Sequence, residues 1–126
     1  MLKDSKAFSG FSIKDEAAAK EFYTQKLGLE VEDGPMGLRL KLAAGNDVFM
    51  YQKDDHEPAT YMILNFPVAN IDEAVDELTS KGVTFEQYDN MTDDKGIARG
   101  ISQNRGPDIA WFKDPSGNIL SVLQEA

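Results

Sequence analysis

Two amphipathic segments stand out in a chain whose remaining stretches mostly alternate between apolar and polar residues. In the first, apolar side chains recur every three or four positions from Asp15 to about Leu27, which predicts a helix. The same spacing predicts a second helix from Ile71 to Ser80. Asp15 and Asn70 stand at the starts of these segments, where a side-chain oxygen can cap the free backbone N–H groups. The chain therefore carries two helices separated by strand-like segments.

The pattern around the first helix recurs around the second. Phe11 and Phe66, like Asp15 and Asn70, lie 55 positions apart, so the segment before each helix and the residue that caps it correspond. Each helix is followed by three short strand-like pieces: 29–31, 38–42 and 48–51 in the first half, and 83–85, 109–112 and 119–123 in the second. The repeat predicts an α+β fold, a single domain over residues 1–126 made of two tandem βαβββ modules at 5–52 and 60–125.

The second half contains an insertion at about residues 89–107 that the first half lacks. This stretch is rich in Gly, Asp and Asn, and we expect a mobile surface loop there. Further on, Asp114-Pro115-Ser116-Gly117 has proline at its second position and glycine at its fourth, which favours a type I turn between the last two strands.

Composition narrows the classes of function. The chain has 126 residues, a net charge of −9 and no cysteine, which excludes disulfides, zinc ribbons and thiol nucleophiles. An acidic chain is a poor partner for nucleic acid, because such binding uses Lys and Arg facing phosphates. No apolar run approaches the ~20 residues of a membrane helix, and the first residues lack the apolar region of a signal peptide. We therefore expect a cytoplasmic protein with neither nucleic-acid nor membrane partners.

Two motifs, together with the paired βαβββ layout, resemble a known superfamily. They are Lys20-Glu21-Phe22-Tyr23 followed by Leu27-Gly28-Leu29, and the run from Trp111 to Asn118 that contains Asp-Pro-Ser-Gly-Asn. These features look like the vicinal oxygen chelate superfamily, which holds glyoxalase I, bleomycin-resistance proteins, fosfomycin-resistance enzymes and extradiol dioxygenases. The resemblance implies a pair of modules forming an open, incomplete barrel with the helices outside.

The resemblance also implies four positions for the ligands of a divalent ion. In this chain they fall on Phe8, Ile63 and Ser121, and near Met50. Three of these side chains cannot bind such an ion, and serine is a weak ligand. We therefore predict that the chain has no metal site and uses no cofactor. This argues against glyoxalase isomerisation, ring cleavage and thiol addition to fosfomycin.

The implied cleft between the modules then becomes a candidate pocket for a small molecule. Strand alternation and the family pattern give an apolar and aromatic lining with few polar groups, the composition of a small-molecule pocket. A cationic or aromatic ligand would suit the acidic chain. The alternative is that these side chains fill the space as core. The predicted ligand-binding residues are Phe8, Ser12, Met50, Ile63, Asn65, Trp111 and Ser121.

Two other classes of function remain open from the sequence. One is an enzyme of the same superfamily, of the lyase, isomerase or dioxygenase type. The single histidine, His56, is the candidate catalytic residue, although no serine partner lies at motif spacing. The other is a homodimeric module without a ligand. A homodimer is also expected for the ligand-binding function, because members of this fold commonly dimerise.

Overall fold

A computed structural model describes residues 1–43 and 45–126 of the chain. The chain divides into two compact units, Met1–Pro58 and Ala59–Ala126, which we call module one and module two. Each module contains one four-stranded sheet and a helix that follows its first strand. Within the described residues, no helix has both the length and the apolar character needed to cross a membrane.

Module one consists of β1 (Gly10–Ile13), α1 (Glu16–Glu21), β2 (Glu30–Asp33), β3 (Leu38–Lys41) and β4 (Val48–Gln52), after a short 3₁₀ turn at Leu2–Asp4. The strand order is β1-β4-β3-β2. The pair β1–β4 is parallel, and the other two pairs are antiparallel. The last strand of the module thus returns to lie beside the first.

Module two repeats this arrangement with β5 (Met62–Pro67), α2 (Ile71–Ser80), β6 (Ile97–Ala98), β7 (Asp108–Lys113) and β8 (Ile119–Gln124), and has a 3₁₀ turn at Ile101–Gln103. The order is β5-β8-β7-β6, with β5 and β8 parallel and the remaining pairs antiparallel. Two mixed sheets, each with its helix, confirm the predicted α+β fold of tandem βαβββ modules.

Both predicted helix caps are present. The Asp15 side chain accepts a hydrogen bond from the Ala18 backbone N–H at 3.0 Å, and Asn70 accepts one from Glu73 at 3.0 Å. Both capping residues have extended backbone, as capping requires. The sequence therefore specifies where each helix begins.

A second pair of caps was not predicted from the sequence. Gln52, at the end of β4, accepts a hydrogen bond from the Glu16 N–H at 2.9 Å. Gln124, at the end of β8, accepts one from the Ile71 N–H at the same distance. In each module the last strand thus ties down the first residue of the helix, which fixes the helix start to the sheet.

The first helix differs from the predicted continuous segment. The α-helix ends at Glu21, and the chain continues as π-helical turns over Phe22–Lys26, with the Leu27 N–H bonded to the Phe22 carbonyl at 3.2 Å. The Thr24 hydroxyl donates to the Lys20 carbonyl at 2.7 Å, an interaction of the kind that bends helices. The wider turns bury both Phe22 and Tyr23 against the sheet.

The predicted strand at 83–85 is wrong in extent. Only Phe85 pairs, through a single bridge to Phe112, and the Glu86 N–H then bonds to the Trp111 carbonyl at 2.8 Å. Further along β7 the same edge is occupied by β6, with Ile97 opposite Ala110. The edge strand of module two is therefore divided, and the chain between residues 86 and 97 loops out. The predicted insertion at 89–107 thus contains one short strand.

Each sheet packs its helix on one face. In module one the Phe11 and Tyr23 rings meet with centroids 6.4 Å apart, and α2 contacts β7 and β8 in module two. Burial of apolar side chains between sheet and helix is the main contribution to the stability of each module. The fully buried residues on these faces include Ile13, Leu38, Leu40, Met50, Ala110, Phe112 and Leu120. We call the opposite face of each sheet its far face.

Candidate functional site

The far face of module one carries a stacked aromatic pair. Cross-strand register puts Gly10 beside Phe49 and Ser12 beside Tyr51. The Phe49 and Tyr51 rings lie nearly parallel, with centroids 5.8 Å apart and 20° between their planes. Because Gly10 has no side chain, the β1 position beside Phe49 does not cover the Phe49 ring. The stack therefore forms an apolar surface on the far face.

Met50 lies on the other face, contrary to the prediction. It pairs with Phe11, which contacts the helix, and its side chain is 0% exposed. Alternation along β4 then puts Phe49 and Tyr51 on the far face and Val48 and Met50 under the helix. The implied position near Met50 is wrong by one residue, and a shift of one residue exchanges the faces of a strand.

Phe8 precedes β1 and is 68% exposed. With Phe49, Pro35 and Met36 it lines a groove of about 580 Å³. The β2–β3 hairpin forms one wall, and Gly37 makes a close approach possible there. A Cβ at Gly37 would lie 2.5 Å from the Met50 carbonyl oxygen and 3.1 Å from the Phe49 ring. The groove is therefore shaped by a position that only glycine fits.

The charged groups of this groove nearly balance. Glu32, Asp33 and Asp47 lie in its lining with Lys6 and Arg39, so three acids accompany two bases. The acids are also paired.

Asp47 accepts a hydrogen bond from Lys41 at 2.9 Å and lies 3.6 Å from Arg39. The hydrogen bond that Lys41 donates to Asp47, together with the negative charge of that carboxylate, raises the pKa of Lys41. Asp33 pairs with Lys20 at 2.8 Å. The electrostatics of the groove thus favour a neutral or weakly cationic occupant.

Ser12 and His56 meet on the far face of module one. The Ser12 Oγ and His56 Nδ1 are 2.6 Å apart, a short hydrogen bond between residues 44 positions apart in sequence. His56 is half-buried, whereas Asp55 and Glu57 beside it are exposed. The structure supplies the serine partner that motif spacing does not reveal, because the contact depends on the return of the chain after β4.

Three predicted ligand-binding residues share the far face of module two. Asn65 and Trp111 both pair with Ser121 on adjacent strands. Ser121 is 0% exposed and donates a hydrogen bond to Asn65 Oδ1 at 2.6 Å. The serine at this implied ligand position therefore has a hydrogen-bond partner on the neighbouring strand β5.

A bulge changes the position of Ile63. The register of β5 shifts between Met62 and Leu64, so that Met62, and not Ile63, pairs with Ile119. Met62 Sδ accepts a hydrogen bond from the Trp111 indole N–H at 3.0 Å. Since Trp111 lies on the far face, Met62 is on that face as well. A β-bulge of this kind is not visible in residue alternation.

The aromatic surface of module two extends beyond the strands. Tyr88, from the looped-out segment, meets Trp111 edge to face with ring centroids 5.6 Å apart. Met62 and Tyr88 are 39% and 40% exposed. The predicted ligand-binding role of Trp111, Asn65, Ile63 and Ser121 stays a prediction, and their surroundings are apolar with one internally bonded polar pair.

The turn at 114–117 holds β7 and β8 together. The Gly117 N–H bonds to the Asp114 carbonyl at 3.0 Å, as in a β-turn. The Asp114 carboxylate is buried and accepts hydrogen bonds from the backbone N–H groups of Ser116 and Asn118, each at 2.9 Å, and from the Asn118 amide at 3.0 Å. The Asp114 carboxylate of this motif is thus used in hydrogen bonds within its own turn. The motif therefore has a structural role here.

An ion-pair network ties the inserted segment to α2. Arg99 makes two hydrogen bonds to Asp72, at 2.8 and 2.9 Å, and a third to Asp93 at 3.0 Å. Lys95 lies 3.1 Å from Asp72 and 2.9 Å from Asp76. The sequence shows these residues only as scattered charges in a predicted loop, and the bidentate geometry was not foreseen.

Two carboxyl groups of this network are perturbed. Hydrogen bonds from Arg99 and then Lys95 hold the pKa of Asp72 well below its usual range. Burial alone would raise the pKa of Asp93, but hydrogen bonds from the Ile97 and Lys95 N–H groups and from Arg99 outweigh it and lower that pKa. Both groups are therefore held as carboxylates, paired and anchoring the segment.

The donor set at the implied metal positions does not fit a divalent ion. Phe8, Met50 and Ile63 offer no nitrogen or oxygen ligand, and the Ser121 hydroxyl is already bonded to Asn65. Among residues 1–43 and 45–126, no three His, Cys, Asp or Glu side chains are grouped so that they could hold a metal ion. No step through a bound ion follows from this arrangement.

The chain matches one family along most of its length. The model described as "Glyoxalase/Bleomycin resistance protein/Dioxygenase superfamily" matches residues 10–122. No protein of curated function matches the chain by sequence.

Several solved structures share its fold. A member of the same superfamily from Sphaerobacter thermophilus is 24% identical, with a TM-score of 0.70, covering 99% of this chain and 100% of its own. A glyoxalase family protein from Enterococcus faecalis is 23% identical, with a TM-score of 0.69, covering 98% and 99%. TnmS3, an antibiotic binding protein from Streptomyces, is 18% identical, with a TM-score of 0.68, covering 94% and 93%. At these identities the likeness shows the fold.

Proposed function

Because the chain belongs to the glyoxalase/bleomycin resistance protein/dioxygenase superfamily, we propose that it binds a small aromatic molecule without a divalent ion. The ligand-binding surface is the groove of module one and the aromatic stack that continues from it. The proposal rests on the residues that line the groove.

The proposal rests on the size and lining of the groove of module one. Its volume of about 580 Å³ falls in the ~300–1,000 Å³ range typical of small-molecule sites. Phe8 and Phe49 supply aromatic walls, and Met36 is 80% exposed at its rim. A flat apolar ligand would cover surfaces that are otherwise left in water, and that burial favours binding.

The charged side chains that line the groove determine which charge an aromatic ligand should carry. The three acids in the lining are all paired with Lys or Arg. Asp33 and Asp47 form the pairs described above, and Glu32 lies 3.6 Å from Lys41. A strongly cationic ligand would have to compete with Lys41 for Asp47, and an anionic one would meet an excess of acids. Neutral and singly cationic aromatic molecules are therefore the preferred class.

One relative of the same fold supports binding as a function. TnmS3 is described as an antibiotic binding protein, so this fold carries a ligand-binding protein. In the present chain the side chains at the implied ligand positions do not fit the metal ion that the enzymes of the superfamily would need. Lyase, isomerase and dioxygenase chemistry that depends on the ion is therefore the less favoured reading.

Calorimetric titration tests the proposal. The probes are 9-aminoacridine, 2-naphthol and 2-naphthoate, which are flat aromatic molecules of positive, neutral and negative charge, added in the presence of EDTA. We expect binding of the first two and weaker binding of the third. Phe49→Ala should weaken binding about tenfold, equal to about 1.4 kcal/mol.

Tyr61→Ala provides the matched control. Tyr61 is an exposed aromatic residue of module two that does not line the groove, so its loss should leave the affinity within about twofold, or about 0.4 kcal/mol. The proposal fails if no probe binds, if binding requires added metal, or if Phe49→Ala and Tyr61→Ala have equal effects. The predicted homodimer is a separate prediction, which sedimentation of the purified protein tests.

A further inference from the structure

Beyond ligand binding, we propose that Ser12 and His56 form a nucleophile–base pair that accepts the acyl group of an activated aryl ester. The Ser12 Oγ and His56 Nδ1 are 2.6 Å apart, within the reach that defines an activated serine. In the neutral imidazole with its proton on Nε2, Nδ1 accepts the hydrogen bond of the hydroxyl. His56 is then placed to take the proton as Ser12 attacks.

The backbone holds the base in position. The Lys53 N–H bonds to the Ile13 carbonyl at 3.0 Å, one residue from Ser12 along β1. The His56 N–H bonds to the Lys53 carbonyl, also at 3.0 Å, which closes a turn. The residue after β4 is thus tied to β1, and the turn returns the imidazole to the Ser12 hydroxyl. A catalytic pair needs such support because small displacements cost rate.

The position of the pair indicates the substrate class. Ser12 lies opposite Tyr51 in the β1–β4 register, and Tyr51 stacks on Phe49. Residues two apart on a strand are separated by about 6.6 Å. An aryl group that lies against the Phe49–Tyr51 stack therefore brings an ester carbonyl attached to the ring within reach of Ser12.

The chemical step balances without any co-reactant other than water. The Ser12 Oγ forms a bond to the ester carbonyl carbon, while His56 Nδ1 takes the hydroxyl proton. The bond between that carbon and the aryl oxygen then breaks, and the phenolate leaves with the proton that the His56 imidazolium returns, so that His56 is again a neutral base. Water next attacks the acyl-serine with His56 as base, which releases the carboxylic acid and restores Ser12.

The test uses 4-nitrophenyl acetate with the full chain. Rapid mixing should show a burst of 4-nitrophenolate, and mass spectrometry of peptides from the quenched protein should find acetyl on Ser12. His56→Gln keeps a hydrogen-bonding side chain but removes the base, and it should slow Ser12 acetylation at least tenfold. Ser12→Ala should abolish it. Circular dichroism verifies that both variants are folded.

Ser9→Ala is the matched control, because Ser9 is an exposed hydroxyl three residues away that has no part in the pair. It should acetylate Ser12 at the wild-type rate. A fluorophosphonate probe, which reacts with activated serines, should label Ser12 in the wild type and in Ser9→Ala only. Acetyl groups found on lysines alone, or equal labelling of Ser12 in the wild type and His56→Gln, overturn the proposal. Either result leaves the binding of unreactive aromatic probes unaffected, so it is separable from failure of the binding function.

Discussion

Modules one and two have the same strand order but differ at the outer edge of the sheet. In module one, β2 and β3 form an uninterrupted hairpin around residues 34–37. In module two the corresponding edge is divided between Phe85 and β6, and Arg99 fastens the looped-out segment to α2. Module one thus has a simple sheet with an accessible groove, whereas the extra residues of module two form an ion-pair network with α2.

The far faces differ in a corresponding way. On module one the polar pair is a nucleophile next to a base, Ser12 and His56. On module two it is Ser121 bonded to the Asn65 amide, which has no basic nitrogen. The far face of each module thus carries a serine in a polar pair, but the two serines lie on different strands, Ser12 on β1 and Ser121 on β8. The two modules therefore share one topology and differ in the polar pair on the far face.

Removing Arg99 should have the largest effect on this contrast. Arg99→Met removes three hydrogen bonds and leaves Asp72 and Asp93 without their guanidinium partner. We expect the free energy of unfolding to fall by about 2 kcal/mol, because the lost bonds are charged and partly buried. Urea denaturation followed by circular dichroism measures the change.

Lys20→Met is the control in module one. The Lys20–Asp33 pair is exposed, with side-chain exposures of 43% and 69%, so its loss should cost no more than about 0.5 kcal/mol. Equal costs for Arg99→Met and Lys20→Met would show that the network does not distinguish module two.

The two glutamine caps should have smaller and similar effects. Gln124→Ala and Gln52→Ala each remove the hydrogen bond to the first N–H of a helix. Each should destabilise by about 1 kcal/mol, with the part-buried Gln124 bond costing more than the exposed Gln52 bond. Thermal unfolding compares the two variants. If only one of the two variants is destabilised, the two caps have the same geometry but contribute differently to stability.

The acid sensitivity of module two should be the smallest effect. The pKa of Asp72 is lowered in the folded state, so its contribution to stability is complete above the ordinary pKa of 3.8 and is lost as the pH falls through the lower native pKa. Between pH 7 and pH 3, wild type should therefore lose more stability than Arg99→Met, by about 0.5 kcal/mol, because solvent screens a carboxylate that is 46% exposed. Urea midpoints at the two pH values provide the comparison, and a larger loss in Arg99→Met would be inconsistent with this role of Asp72.

Much of the fold can be predicted from the sequence because residue type and residue spacing indicate the same elements. The caps Asp15 and Asn70, the helix from Ile71 to Ser80 and the turn at Asp114 each follow from residue type and spacing over a few positions. What could not be predicted depends on partners distant in sequence. The Gln52 and Gln124 caps and the Arg99–Asp72 pairs form only when separate elements meet.

The candidate site was predicted in part for the same reason. Alternation along β1 puts Ser12 on the far face, but the implied position near Met50 falls under the helix, one residue from the far-face residues of β4. The β-bulge that brings Met62 opposite Ile119 leaves no mark on the alternation of β5. His56 lies in a polar linker, and nothing local signals that it returns to Ser12 across 44 positions.

An NMR titration of isotope-labelled protein with 9-aminoacridine in the presence of EDTA tests whether the groove of module one binds the ligand. Binding in the groove predicts the largest shifts at the amides of Gly37, Phe49 and Phe8, together with a much smaller shift of the Trp111 indole N–H. Shifts confined to Trp111 and its neighbours, or shifts that appear only after a divalent metal is added, would contradict the account.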